Sequence, residues 1–185
     1  MKRREKKDMN RLFITGVFLA VPAFLFGSPK TGPGSATRGP QSLEDRVRHE
    51  LIMQPYYNVF DNLSFHVDSG VVTLTGEVVD PVLKDDAGKS VKHLEGVTEV
   101  KNEIEVLPLS PFDNQIRWRT YRAVFGYGPL QRYALGAVPS IHLIVKNGHV
   151  TLEGVVGTEM DKELAYVRAN QVPGVFAVTN NLRVE

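Results

Sequence analysis

The chain has 185 residues, 42% of them hydrophobic and 23% charged, and it contains no cysteine. The missing thiol excludes a disulfide framework, a thiolate metal site, a cysteine nucleophile and an acyl anchor on a mature N-terminal cysteine. The net charge of +1 is a cancellation, because Met1–Arg11 alone holds six Lys/Arg against Glu5 and Asp8.

That basic stretch is followed by Leu12–Phe26 (LFITGVFLAVPAFLF), fifteen residues without a charge, and then by a small-residue segment. The three-part layout predicts a secretory signal over residues 1–26. The apolar run is shorter than the roughly 20 residues a membrane-spanning helix needs, and Pro22 interrupts it; an uncleaved inner-membrane anchor is the alternative. Either way the expected location is periplasmic or envelope-associated. In Gly27–Pro40 (GSPKTGPGSATRGP), eleven of fourteen residues are Gly, Pro, Ser or Thr. Such a composition has almost nothing to bury, so residues 27–40 are expected to form a flexible linker.

Sliding the chain along itself by 78 residues places Leu63–Val106 over Ile141–Val184 without a gap, and 14 of the 44 pairs are identical. An internal duplication follows. Each copy alternates apolar residues around a turn: Leu63-Phe65-Val67 and Val72-Leu74 about Ser69-Gly70, then Ile141-Leu143-Val145 and Val150-Leu152 about Asn147-Gly148. Period two around such a turn predicts a β-hairpin with one buried face. Helical spacing follows over Pro81–Leu94 and Thr158–Val172, with Val82, Ala87, Val91 and Leu94 or Met160, Leu164, Val167 and Val172 as the apolar stripe. Gly96 and Gly174 stop those helices, and Val97–Val106 and Val175–Val184 read as third strands. Helical patterns also precede each hairpin, over Leu43–Met53 and Phe112–Phe125.

The expected fold class is therefore α+β: two tandem two-layer units, each helix-strand-strand-helix-strand, with a three-stranded mixed sheet covered by two helices. Leu107-Pro108-Leu109-Ser110-Pro111 separates the copies, so the domains are expected at 41–108 and 111–185, each closing its own core. The strand order is open, because the third strand could join either edge of its hairpin.

The stretches Phe65–Gly76 (FHVDSGVVTLTG) and Leu143–Gly154 (LIVKNGHVTLEG), with the later Gly96-Val97 and Gly174-Val175, resemble a pair of BON domains over nearly everything from Ser42 to Glu185. The resemblance implies an exported, non-enzymatic bacterial envelope protein with a role in envelope integrity or osmotic stress tolerance, and binding to phospholipid surfaces. One departure stands out. The connection Gly126–Ser140 is five residues longer than its counterpart when Leu51 is matched to Val124.

Charge separates the copies. Gln41–Pro108 has six Lys/Arg against thirteen Asp/Glu, and Leu109–Glu185 has eight against six. An anionic lipid surface repels the first and tolerates the second, so lipid binding is expected of the second. Wound on a helix, Ile116–Phe125 (IRWRTYRAVF) places Ile116, Thr120, Ala123 and Val124 on one face. Trp118, Arg122 and Phe125 fall on the other, flanked by Tyr121, Arg117 and Arg119. Tyr127, Arg132 and Tyr133 extend that character into the long connection. Aromatic rings beside guanidinium groups suit headgroup depth at an anionic phospholipid surface. The same face also suits a contact with the acidic first copy or another envelope protein, and less well single-stranded nucleic acid, which export and near-neutral charge disfavour.

Catalytic patterns are missing. None of the five histidines forms a His-x-x-x-His pair. His142 and His149 would sit about 13 Å apart along the hairpin, too far to share an ion, and read as exposed strand histidines. Asp85 and Asp86 diverge on a helix, Ser69 and Ser140 lack a nucleophile elbow, and the glycines at 126, 128 and 136 do not follow a strand and open a helix. No cofactor, metal or small-molecule substrate is expected.

Overall fold

The computed structural model describes residues 42–185; the expected signal or anchor and the linker lie outside them. In chain order the elements are α1 (Leu43–Ile52), β1 (Asn62–Asp68), β2 (Val71–Val78), α2 (Pro81–Lys92), β3 (Glu99–Asn102) and β4 (Glu105–Val106), then α3 (Pro111–Phe125), α4 (Gly128–Gln131), β5 (Ile141–Lys146), β6 (His149–Val156), α5 (Glu159–Asn170), β7 (Ala177–Asn180) and β8 (Arg183–Val184). The fold is α+β, with two helix-strand units and two mixed sheets. No helix among the described residues is long and apolar enough to cross a membrane.

The starts of α1, α2, α3 and α5 are written locally. Ser42 and Asp45 exchange side-chain and backbone hydrogen bonds at the head of α1, a capping box, while Asp80 and Thr158 accept from the first turns of α2 and α5. Both hairpins turn through two residues with positive φ, Ser69-Gly70 and Asn147-Gly148, as a type I′ connection requires. The register puts Phe65 opposite Leu74 and Leu143 opposite Leu152.

The third strand joins the second strand of its hairpin, in parallel, and it is broken. Asn102 and Asn180, equivalent in the repeat, explain the break. Each turns its carboxamide back to donate to a carbonyl of the preceding helix, Lys84 or Lys162, and accepts the N–H two residues on. The ladder resumes at β4 and β8.

Two expectations are corrected. In the α2 stripe Ala87 and Val91 are buried as expected and Leu94 packs on the core, but Leu83 takes the place expected of Val82, which is exposed; in the α5 stripe Leu164 and Val172 pack inward, but Ala165 and Ala169 are buried while Met160 and Val167 are exposed. The hairpin β5–β6 does not have one buried face only, because His142 and Ile144 on the outer face of β5 are buried along with Ile141, Leu143 and Val145. The outer cover is the first repeat. Its two cores are thus not fully separate: Val59 and Phe60, from the segment between α1 and β1, pack in the core of the second repeat.

Gly76 and Gly154 are paired by the repeat and by backbone geometry. Both have φ near +115°, at 111° and 119°, where only glycine is comfortable. A Cβ there would lie 2.1 Å from the Asn62 or Ser140 carbonyl oxygen of the opposite strand. Gly154→Ala should therefore cost at least about 2 kcal/mol in urea unfolding, whereas Gly128→Ala, which meets no atom within 4 Å, should leave the midpoint in place. Equal midpoints for both variants would contradict this assignment.

Candidate functional site

α3 positions the site, and its first turn is tied down from two sides. Ser110 Oγ accepts the Asp113 N–H, and Asp113, instead of facing solvent, accepts the Asn147 and Gly148 N–H groups at 2.9 and 2.8 Å. The only acid on α3 is thereby spent on holding the β5–β6 turn. Ile116, Thr120 and Val124 face the sheet.

Arg117 follows them inward. It is 3% exposed and donates from Nη2 to the Val145 carbonyl at 2.9 Å. Burial pulls its pKa down, while the charges of Asp113 and of Asp61 in the first repeat push it back up. The expectation that Arg117 lines an outward aromatic face is corrected: the covered arc of α3 is wider than one sheet would make it, because the first repeat packs beside the sheet. Phe125 is also buried, under α4 and the turn that follows, with its ring 5.0 Å from that of Tyr121.

The long connection is a brace. Tyr133 is buried and shares the Asp161 carboxylate with Arg132 and Thr158: Tyr133 Oη donates at 2.9 Å, Arg132 Nη2 at 2.6 Å and Thr158 Oγ1 at 2.6 Å. The Thr158 bond first, then the Tyr133 hydroxyl and Arg132, hold that carboxyl below the usual range. Tyr127 lies under the Arg168 guanidinium, 3.9 Å from its ring centroid. Of the nine residues expected on one surface, Arg117, Phe125 and Tyr133 are interior, and Tyr127 and Arg132 are engaged at α5. Trp118, Arg119 and Arg122 remain exposed on α3, with Tyr121 half-buried beside them.

What meets Trp118 is the strap Tyr56–Asp61 of the first repeat. Phe60 packs against Trp118 in a T-shaped arrangement, centroids 5.1 Å apart, and lies 6.2 Å from Tyr121 between centroids. Trp118 still exposes 51% of its surface. A shallow apolar pocket of about 380 Å³ opens between Val59, Phe60, Trp118 and Tyr121. The strap is held by a backbone bond from Leu143 N–H to the Val59 carbonyl at 2.8 Å and by Tyr57, whose ring stacks on His142 at 5.3 Å. Burial raises the Tyr57 phenol to about 12. Asp61, 1% exposed, accepts from Val79 and Asn58; burial raises its carboxyl despite those bonds and the Arg117 charge. His142, read from the sequence as an exposed strand residue, is buried at this seam, whereas His149 is exposed.

Sequence reasoning missed Phe112 and Phe176, exposed by 46% and 71% with ring centroids 6.2 Å apart. The signal was available in the repeat: Phe176 stands where the first copy has Thr98. It also did not anticipate the cleft of about 340 Å³ at the seam, lined by Glu77, Glu105, Leu107, Ile144, Lys146 and Thr151 among others. Lys146 bridges to Glu105 there at 2.5 Å. Burial, and then Glu153 and Glu105, raise the Glu77 carboxyl, against the Asn62 hydrogen bond and Lys146. Carboxylates, the tethered Lys146 ammonium, the His149 ring and the Thr151 hydroxyl together line a polar seam. Among the described residues no group of three His, Cys, Asp or Glu could hold a metal ion.

A family model described as BON domain matches residues 41–108 and 132–185. Most of the exposed aromatic and basic surface, on α3, lies between the two matched segments. No curated protein matches the chain in sequence. Among solved structures, the C-terminal domain of CdsD, the structural protein of the Type III secretion system of Chlamydia trachomatis, is 12% identical, covers 80% of this chain and 99% of its own, and superposes with a TM-score of 0.32. A second structure of the same Chlamydia trachomatis protein is 13% identical, covers 77% and 92%, and also scores 0.32. Likenesses this distant do not bear on function.

The interior place of Arg117 has a measurable consequence. Arg117→Ala leaves two buried carboxylates without their cation and should lower stability by about 3 kcal/mol. Arg119→Ala and Arg122→Ala should stay within about 0.5 kcal/mol of the parent in the same denaturant series; equal losses at all three positions would contradict the assignment.

Proposed function

The chain belongs to the BON domain family, associated with the bacterial envelope and osmotic stress, and on that premise we propose that it is a non-enzymatic envelope protein whose second repeat binds anionic phospholipid surfaces. The observation that carries this reading is the exposed stripe of α3. Trp118, Arg119 and Arg122 share it, and the helix's only carboxylate is turned inward. A half-exposed tryptophan beside two guanidinium groups is suited to the headgroup layer, where the ring rests among glycerol and phosphate and each basic residue contributes about 1 kcal/mol. Tyr121 supports the ring, and Arg132 and Tyr127 lie on the flank. Arg117, Phe125 and Tyr133 act from beneath, by fixing the helix. The first repeat carries thirteen acidic against six basic residues, so it stays clear of the same surface.

The packing of Phe60 on Trp118 favours a second reading, in which the face is a contact with another envelope protein. An aromatic edge already accepts a protein ring there.

Sedimentation with vesicles separates the two. Binding to vesicles containing phosphatidylglycerol should exceed binding to pure phosphatidylcholine, and Trp118→Ala with Arg122→Glu should remove the difference. The chain has one tryptophan, so its emission should shift to the blue on binding. Indifference to lipid charge or to the double variant contradicts lipid binding; concentration-dependent self- or partner association lost in Trp118→Ala, without a vesicle effect, establishes the second reading.

A further inference from the structure

We propose that the strap Tyr56–Asp61 is a proton-released cover on the aromatic face of α3, with His142 as its trigger. The release is a property of the protein alone; its effect on lipid rests on the preceding reading.

The geometry is specific. His142 lies on the outer face of β5, 7% exposed, with its ring stacked at 16° on Tyr57 of the strap. Nε2 is 3.4 Å from the Tyr57 hydroxyl, and Nδ1 is buried without a partner. The adjacent residue, Leu143, donates the backbone bond that pins Val59. Three residues along the strap from Tyr57, Phe60 covers part of Trp118 and Tyr121. One histidine thus sits under the hinge end of the segment whose other end covers the candidate site.

A neutral imidazole tolerates this place and an imidazolium does not. Protonation puts a charge, with a second N–H donor, where water cannot solvate it. The titratable groups around the ring are few. From the strap come the Tyr57 hydroxyl and the Asp61 carboxyl, from β6 comes Glu153, the cross-strand partner of His142, and beyond Asp61 lies Arg117 of α3. Asp61 is already engaged by Val79 and Asn58 N–H groups, and Glu153 by the Asn181 amide at 2.6 Å. The carbonyls of Asn58, Asp61 and Pro139 act on the ring in favour of the proton, but burial outweighs them and holds its pKa below the ordinary histidine value.

The sign follows. A histidine whose pKa is depressed when docked contributes docking stability that is complete above its free pKa of about 6.5 and is lost as pH falls below it. Asp61, raised when docked, acts in the opposite sense: its protonation favours the docked strap, so acid release is assigned to His142. Mild acid therefore lifts the strap and uncovers Phe60, Trp118 and Tyr121 together.

Trp118 reports this without a label. As pH falls from about 8 to about 5.5, across the ordinary histidine range, its emission should shift to the red and its quenching by acrylamide should rise, with the far-UV circular dichroism unchanged. His142→Phe, which keeps the stack, should abolish the change, and His142→Gln should do the same should the larger ring crowd the seam. Phe60→Ala should show the acid emission at every pH. A Trp118 signal that does not move with pH, or moves equally in both His142 variants, overturns the proposal. Phosphatidylglycerol vesicles form a separate arm. With lipid binding intact, acid should strengthen it in the parent and not in His142→Phe; no vesicle binding at any pH defeats the lipid reading and leaves the emission result to decide the cover.

Discussion

A strand buried on both faces must be covered twice, and that requirement on β5 organises the molecule. Ile141, Leu143 and Val145 take the cover that every such unit supplies, the helices α3 and α5. His142 and Ile144 need another, and only the first repeat provides it. From that demand follow the strap along β5, the Lys146–Glu105 bridge across the seam and the widened buried arc of α3 that draws Arg117 inside. The outward surface of α3 is what the double cover leaves over, which is why it is narrow: Trp118, Arg119 and Arg122 at the centre, Phe112 toward the N-terminus.

Most of the fold could be read because its signals are local or repeated. Capping residues, two-residue turns with Gly at the second place, and a gap-free 78-residue register each dictate structure within a few bonds, and duplication states them twice. The α2 stripe was legible except at its start, where Leu83 and not Val82 turns inward, and the α5 stripe was misplaced because its buried Ala165 and Ala169 carry little weight in an apolar count while the larger Met160 and Val167 face out. The site was less legible. A helical wheel divides a helix into two faces, whereas α3 has three environments: sheet, seam and solvent. Arg117 and Phe125 belong to the second and to the cover of α4, which no wheel contains. Yet a trace of the seam was present in Ile141–Val145 (IHLIV), where a single histidine interrupts an otherwise unbroken apolar run of the kind that marks a strand covered on both sides.

The repeats have diverged where duplication left them free. Both copies keep the hairpin turns, the asparagines that break the third strands and the crowded glycines, all of which are fixed by backbone geometry. The first helices have not stayed alike. α1 has ten residues and α3 fifteen, and the chain after α3 adds a short helix and a braced turn at Tyr133. The extra length gives the second repeat a tall outward edge and the first none. Charge has moved the same way, with the carboxylates concentrated in the copy that presents no aromatic face. One copy serves as the support and the other carries the exposed surface.

The seam is held by groups that an optimum for stability alone would not choose. A phenylalanine at 142 would stack on Tyr57 without burying an unpartnered nitrogen, and an aliphatic residue at 117 would fill its place without desolvating a guanidinium. Arg117 draws on a carboxylate from each repeat, Asp113 and Asp61, so its charge is balanced on both sides only when the strap is home. Such a cation makes docking specific, since a shifted strap would leave Asp61 and Arg117 buried apart. His142 makes docking conditional, because its neutral form alone fits. A buried charge that needs its partner and a buried base that must stay unprotonated together describe a contact that is exact in geometry but modest in strength, and a contact of that kind can let go.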